Sequence, residues 1–234
     1  MNHIAVTGAF GWLGQSVCRW LEAQGDSVLQ LSSTAGPQRE VWNCAEHPSA
    51  KVCDLLSGCD AVIHCAAYVH RPIETAFEKQ QCVEINSRGT ERLIKACQNN
   101  GPTRFVFAST IAVYGSNAGV HNESSPVTGT SVYASSKLDA EKSVEASTLD
   151  WSIVRLSTIY GAGDRGNFQK MIQAIKSKRF LIPGGGSARK SIVSIDQAGE
   201  LFGKLALLRN PKERVFNLAQ PYAPTLSEIC LAFC

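Results

Sequence analysis

Tyr133 and Lys137 stand four positions apart in a stretch of helical character, and residues at that spacing share one face of a helix. An ammonium held beside a phenol lowers the phenol's pKa toward the working pH, and a phenol so tuned gives or takes a proton. Near the start of the chain, Thr7, Gly8, Ala9, Phe10, Gly11, Trp12, Leu13 and Gly14 form a TGxxGxxG run between a short apolar segment and an amphipathic one. Glycines at those places let the chain turn tightly, bring its backbone close to a pyrophosphate and seat helix on strand. The helix N-terminus then offers free N–H groups to the phosphates. Neither pattern is specific alone; together they suggest proton transfer beside a bound dinucleotide.

The second apolar run ends at Ser32, where an enzyme using NAD usually carries an acid to hold the ribose hydroxyls. That acid is absent. Ser32, Ser33 and Thr34, with Arg39 close behind, could hydrogen-bond a 2′-phosphate instead, and a solvated loop is an equal reading of the same residues. NAD and NADP both stay open.

Elements that position these groups alternate β-rich runs with helical periods, the pattern of a doubly wound parallel sheet of the Rossmann kind. Expected strands are residues 4–7, 28–31, 61–64, 104–108, 152–156 and 192–195. Leu13, Val17 and Leu21 fall one turn apart on a helix face, as do Phe168, Met171, Ile172 and Ile175, and Ala198, Leu201, Phe202 and Leu205. Residues 115–131 and 183–190 lack a period, and long loops in a compact domain tend to be functional. Thr225 with Glu228 makes a capping box for a short last helix.

Composition bounds the alternatives. Across 234 residues, 44% are hydrophobic and 18% charged, which describes a globule with a real core. A net charge of +3 without a basic cluster gives a nucleic acid no electrostatic footprint. Nine cysteines, odd in number and without a CxxC pair, read as reduced buried thiols in a cytoplasmic protein; neither a disulfide framework nor a metal site is expected. Neither a signal peptide nor a membrane span is indicated.

With the loop and the YxxxK pair in place, Ser109, Thr110, Ile111, Ala112, Val113, Tyr114 and Gly115 at the end of a strand complete a pattern. The chain resembles the extended short-chain dehydrogenase/reductases, in their nucleotide-sugar epimerase/dehydratase branch. The resemblance spreads over His64 to Ala67, Asn86 with Gly89 and Thr90, Arg155 to Gly161, and Arg189 with Ile192 to Asp196. It implies that Thr110, Tyr133 and Lys137 are catalytic: Tyr133 as general acid or base at a substrate hydroxyl or ketone, Lys137 tuning it, Thr110 donating to the same oxygen. It places NAD or NADP against Gly8 to Gly14, Ser32, Asn43, Cys44, Ala66, Ala67, Ser157 and Ile159, with Tyr133 and Lys137 beside the nicotinamide. Ser109, Thr110, Asn167 and Arg189 are the implied substrate contacts, Arg189 meeting a diphosphate.

Within that branch, dehydratases place an Asp-Glu pair directly after the threonine. Ile111 and Ala112 stand there and move no proton. An NAD(P)-dependent C4 epimerase of a UDP-sugar is therefore expected first, a 4-keto-sugar-nucleotide reductase second, and a dinucleotide-binding protein without turnover third. His64, His70 and His121 read as structural or loop residues, and Cys65 as packing. The implied organisation is a dinucleotide-binding domain over residues 1–160. A small, truncated substrate-binding region over 161–234 is interwoven with its last strands and helices. A homodimer paired through the helices at 89–99 and around Tyr133 is also implied.

Overall fold

The computed structural model describes every residue except 37, 38, 70, 116–118, 165, 166, 178 and 234, and leaves aside the side chains of Asn167 and Pro183. Its centre is a seven-stranded parallel sheet. In chain order its strands are β1 (His3–Thr7), β2 (Ser27–Ser32), β3 (Glu40–Val41), β4 (Ala61–His64), β5 (Arg104–Thr110), β6 (Asp150–Leu156) and, last in the chain, β9 (Val215–Leu218). They lie in the order β3-β2-β1-β4-β5-β6-β9, so the direction of winding reverses between β1 and β4. In sheets of this kind ligands bind beyond the C-terminal strand ends at that reversal.

Every central strand is apolar on both sides, which is why each reads as an unbroken hydrophobic run. Ala5, Val62, Phe105 and Phe107 point to one face and join α2 (Ala50–Ser57), α4 (Gly89–Asn100) and α5 (Val132–Glu145) through Leu56, Leu93 and Val144. Their neighbours Ile4, Val6, Ile63 and Val106 point to the other face. There they join α1 (Trp12–Ala23) and α7 (Ile195–Leu207) through Val17, Leu21 and Phe202. The two-residue alternation of a strand thus fills two cores at once. Helix α1 lies so close to α7 that a Cβ on Gly203 would come within 2.1 Å of the Trp20 ring, and one on Gly199 within 2.4 Å of Ser16 Oγ.

Between β4 and α4, α3 (Ala76–Val83) runs into a π-helical turn at Glu84–Arg88. Beyond β6, a two-stranded parallel sheet of β7 (Thr158–Tyr160) and β8 (Ile192–Ser194) packs with α6 (Asn167–Lys176) and α8 (Leu226–Phe233) around Phe168, Ile192 and Ile229. Thr225 and Glu228 exchange the expected bonds of a capping box at the start of α8.

Three differences from the sequence reading have physical causes. Strand β5 continues through Thr110 because its whole length pairs with β6. Ile195 opens α7 instead of ending β8, since the Ser194 hydroxyl accepts the Gln197 N–H and caps the helix there. The short β3, β7 and β9 carry too few residues to show a period, and their neighbours hold them in place.

Candidate active site

The glycine loop joins β1 to α1 at the reversal point. Gly8 has φ +65°, and a Cβ on it would meet the Ala66 backbone at 2.8 Å; a Cβ on Gly14 would strike the Gly8 carbonyl at 2.2 Å. Gly11 differs, because its missing Cβ faces only Gly8 O at 3.1 Å and otherwise open space. Helix α1 begins at Trp12 with no side-chain cap and no acid in its first turn, so its N–H groups and positive dipole end stay available to an anion. The Trp12 indole donates to Ala162 O at 2.9 Å and ties the loop to the segment after β7, while Leu13 packs into the core.

A fully satisfied chain of bonds fixes the floor of the loop. Ala66 N–H donates to Thr7 Oγ1, which lies 2.6 Å from His64 Nδ1. His64 Nε2 meets Thr90 Oγ1, which donates to Asn86 O. With both hydroxyls committed, the ring carries its proton on Nε2. Burial pushes its pKa down to about 3, so it stays neutral and takes no part as an acid or base. Cys65 is likewise inert, burial raising its thiol well above the usual range.

The β2 end presents Ser32, whose Oγ accepts the Thr34 N–H. Arg39 lies over the Phe10 ring at 3.7 Å. Across from them, the Asn43 side chain is occupied locally: Oδ1 accepts the Ala45 N–H at 3.1 Å and Nδ2 reaches Glu46 at 3.5 Å. Cys44 is buried against Gly89, and Arg92 takes its carbonyl. What these two still offer an adenine comes chiefly from backbone.

Thr110, Tyr133 and Lys137 meet at the C-terminal end of β5. Ser131 caps α5 through the Ala134 N–H and brings Tyr133 and Lys137 round on one face. Ala112 N–H donates to Thr110 Oγ1 at 3.2 Å, which fills an acceptor site of that hydroxyl and leaves its proton to give away. Lys137 is 2% exposed; its Nζ donates to Ala108 O at 2.7 Å and sits 4.6 Å from the centre of the Phe107 ring. Burial lowers its pKa to about 8. The expected lowering of the tyrosine by Lys137 is corrected here. Burial raises the Tyr133 phenol to about 12, a hydrogen bond with Thr110 pulls it the other way, and the lysine is turned to a main-chain carbonyl. At neutral pH the site therefore holds a phenol and an ammonium.

Ser109, read from sequence as a substrate contact, is 3% exposed and gives its hydroxyl to the Glu141 carboxylate, below the site. Glu141 is one helical turn beyond Lys137, 1% exposed, and clamped by Arg155 Nη2 at 2.7 Å and Nε at 3.1 and 3.2 Å. Arg155 also donates to the Tyr114 hydroxyl at 2.9 Å, which bonds Asn217 on β9 at 2.7 Å. Burial pulls the Arg155 pKa down, but its bonds to Glu141 and Tyr114 outweigh that and hold it up. The sequence reading missed Glu141. Its signal was the spacing, since Tyr133, Lys137 and Glu141 form an unbroken i, i+4 stripe.

Ser157 Oγ, at the β6–β7 junction, is buried without a hydrogen-bond partner, and Ile159 packs against the sheet core. Arg189 is exposed in the small sheet's surroundings, donating to Ala223 O at 2.7 Å beside the Tyr222 ring. Asn167 opens α6, its side chain outside the described residues, as is His70. His121 stacks on Tyr114 with centroids 5.1 Å apart. Among the described residues no group of three potential ligands could hold a metal ion, eight cysteines are free thiols, and no helix is long and apolar enough to cross a membrane.

Known proteins are similar to this chain in sequence and fold. A 2-alkyl-3-oxoalkanoate reductase of Stenotrophomonas maltophilia is 28% identical over 83% of this chain and 62% of its own length. A UDP-glucose 4-epimerase of Vibrio cholerae is 26% identical over 97% of the chain and 74% of its own length. Against the solved structure of MoeE5 in complex with UDP-glucose and NAD, 97% of the chain superposes on 79% of that protein with a TM-score of 0.84 and 26% identity. The sequence pattern of the NAD dependent epimerase/dehydratase family matches residues 4–219, and the chain belongs to that family.

Proposed function

We propose that the chain binds NAD or NADP in the cleft above β1 and β4 and catalyses C4 epimerisation of a UDP-sugar. The observation that carries the reading is the meeting of Thr110, Tyr133 and Lys137 at the end of β5, beside a glycine loop whose helix N-terminus is uncapped. The residues present fit a dinucleotide: Gly11 leaves a gap that a Cβ would fill, and Ser157 Oγ is an orphaned buried hydroxyl at the opposite end. The glycine loop from Gly8 to Gly14 and the residues at the end of β5 would hold the dinucleotide, which would supply reversible hydride chemistry there.

The chain's own residues handle the proton. Thr110 donates to the substrate oxygen and, with Tyr133, holds it where charge develops. Tyr133 exchanges the proton of that oxygen; its high pKa makes it a proton donor to a ketone at neutral pH and a base only in the company of positive charge. We assign that charge to Lys137, an ammonium below about pH 8, on turning from the Ala108 carbonyl toward the phenol. Ile111 and Ala112 offer no second proton-transfer group, which disfavours elimination of water and suits a reversible transfer at one carbon. Arg189 is the residue proposed to meet the diphosphate, and α4 packed on α5 is the surface proposed for a homodimer.

The likeness to a reductase favours one second reading, net reduction of a ketone at the same three residues. Proton NMR of the protein incubated with NAD(P)+ and a panel of UDP-sugars, and separately with NAD(P)H and a UDP-4-keto sugar, separates the two. Interconversion of C4 epimers at constant cofactor supports epimerisation. Cofactor consumed one-for-one with a 4-keto sugar supports reduction and overturns the first reading. No reaction with any sugar overturns both.

A further inference from the structure

We propose that Ser109 and Tyr114 are positioning residues, which bracket Thr110 from both sides and hold its hydroxyl at a fixed gap from Tyr133. The inference deepens the reading in which Thr110 and Tyr133 share one substrate oxygen, and rests on it. Its first support is the way α5 is stitched to β5. Lys137 Nζ donates to Ala108 O at 2.7 Å, the Ser109 hydroxyl donates to the Glu141 carboxylate, and Tyr133 hydrogen-bonds Thr110. Three consecutive residues of the strand are thus matched by the stripe of Tyr133, Lys137 and Glu141 on the helix. Glu141 lies eight residues beyond Tyr133, about 12 Å along a rigid helix, so fixing one end fixes the height of the other. The Ser109 bond does not depend on Lys137, and it keeps this register when the ammonium turns to the phenol.

The second support is the far side of Thr110. That residue caps a single 3-10 turn, Ile111–Tyr114, and its Oγ1 accepts the Ala112 N–H at 3.2 Å. The turn ends on Tyr114, a buried residue whose hydroxyl takes a bond from Arg155 Nη1 at 2.9 Å and gives one to Asn217 at 2.7 Å. Arg155 is the residue that clamps Glu141, and it stands opposite Ser109 in the register of β5 with β6. One buried ion pair therefore anchors the residue before Thr110 and the turn after it.

The third support is what the anchor is made of. A buried ion pair gains little over apolar packing of the same shape, and its best-attested use is to fix a register. An apolar contact between α5 and β5 tolerates sliding, whereas the guanidinium fork meets Glu141 at 2.7, 3.1 and 3.2 Å in one geometry. Ser109 and Tyr114 pass that geometry to the strand end. Misplacing a catalytic group by about 1 Å costs on the order of a hundredfold in rate, and the group held here is the donor to the oxygen on which charge develops.

Steady-state kinetics on the full chain test this, with NAD(P)+ and the UDP-sugar of the panel that the parent turns over fastest. Ser109→Ala and Tyr114→Phe each remove one hydroxyl and leave the ion pair in place. Each is expected to lower kcat at least tenfold with KM within threefold of the parent; if Ser109→Ala does not fold, Tyr114→Phe carries the test. In a chain already carrying Thr110→Ala, the same replacements are expected to change kcat less than twofold, because the group they position is gone. A smaller loss in either folded variant overturns the proposal, as does a loss carried by KM. An equal loss with and without Thr110 also overturns it, since that marks a purely structural role. These results leave the reading of Thr110 standing so long as Thr110→Ala itself lowers kcat. A parent that turns over none of the sugars, or a Thr110→Ala chain as fast as the parent, overturns both.

Discussion

Replacing Glu141 by glutamine keeps the shape of the buried network and removes its charge. Arg155, 5% exposed and bound through three contacts to that carboxylate, is then a buried cation facing a neutral amide. Breaking a buried pair by neutralising one partner costs about 3–5 kcal/mol, and because the glutamine oxygen still accepts one bond the lower value, about 3 kcal/mol, applies. With unfolding entropy of about 2.1 cal/mol/K per residue, a chain of 234 residues loses about 6 °C in melting temperature. Differential scanning calorimetry reads this directly. Replacing both residues, Glu141→Leu with Arg155→Met, removes the unpaired charge and is expected to recover at least half of the loss. A Glu141→Gln melting temperature within 1 °C of the parent, or a double variant less stable than the single, refutes the reasoning.

Gly11→Val puts a side chain at the N-cap of α1, facing the opening of the glycine loop, and dinucleotide affinity by calorimetry is expected to fall at least a hundredfold while the melting temperature drops by only about 2 °C. Burial raises the thiols of Cys18, Cys44 and Cys97 to about 12 and of Cys59 to about 11, so above about pH 8.5 the folded chain keeps protons that the unfolded chain releases. Stability held below that pH is thus lost as pH rises, by about 1.4 kcal/mol per thiol per pH unit. Lys137, lowered to about 8, opposes with a single group; urea midpoints under reducing conditions are expected to fall from pH 8 to pH 10. Light scattering at micromolar concentration is expected to give twice the 25.3 kDa chain mass, and a monomer mass contradicts the proposed pairing of α4 and α5.

The alternation of strand and helix was legible because each central strand is apolar on both faces and each helix on one, so periodicity alone separated them. The glycine loop was legible for a different reason: backbone geometry there forbids a side chain at Gly8 and Gly14, and sequence must record that. Glu141 and Arg155 were hidden, since a charged residue in a helix reads as surface until its partner on β6 is known. The same blindness made Ser109 look like a substrate contact, although its strand neighbour Thr110 points the other way. The tyrosine's protonation was beyond sequence altogether. Four-residue spacing brings Lys137 near, but burial of both groups and the pull of the Ala108 carbonyl decide where the proton stays.

In the proposed epimerisation a hydride is removed from C4 and returned to it while Tyr133 moves the hydroxyl proton. UDP-glucose deuterated at C4, incubated in ordinary water with NAD(P) and followed by NMR, tests both halves in one tube. The expected product is a C4 epimer that keeps its deuterium, formed at least about a hundredfold more slowly by Tyr133→Phe, the range a general acid or base contributes. Solvent hydrogen at C4 of the product, or Tyr133→Phe within a few-fold of the parent, contradicts it.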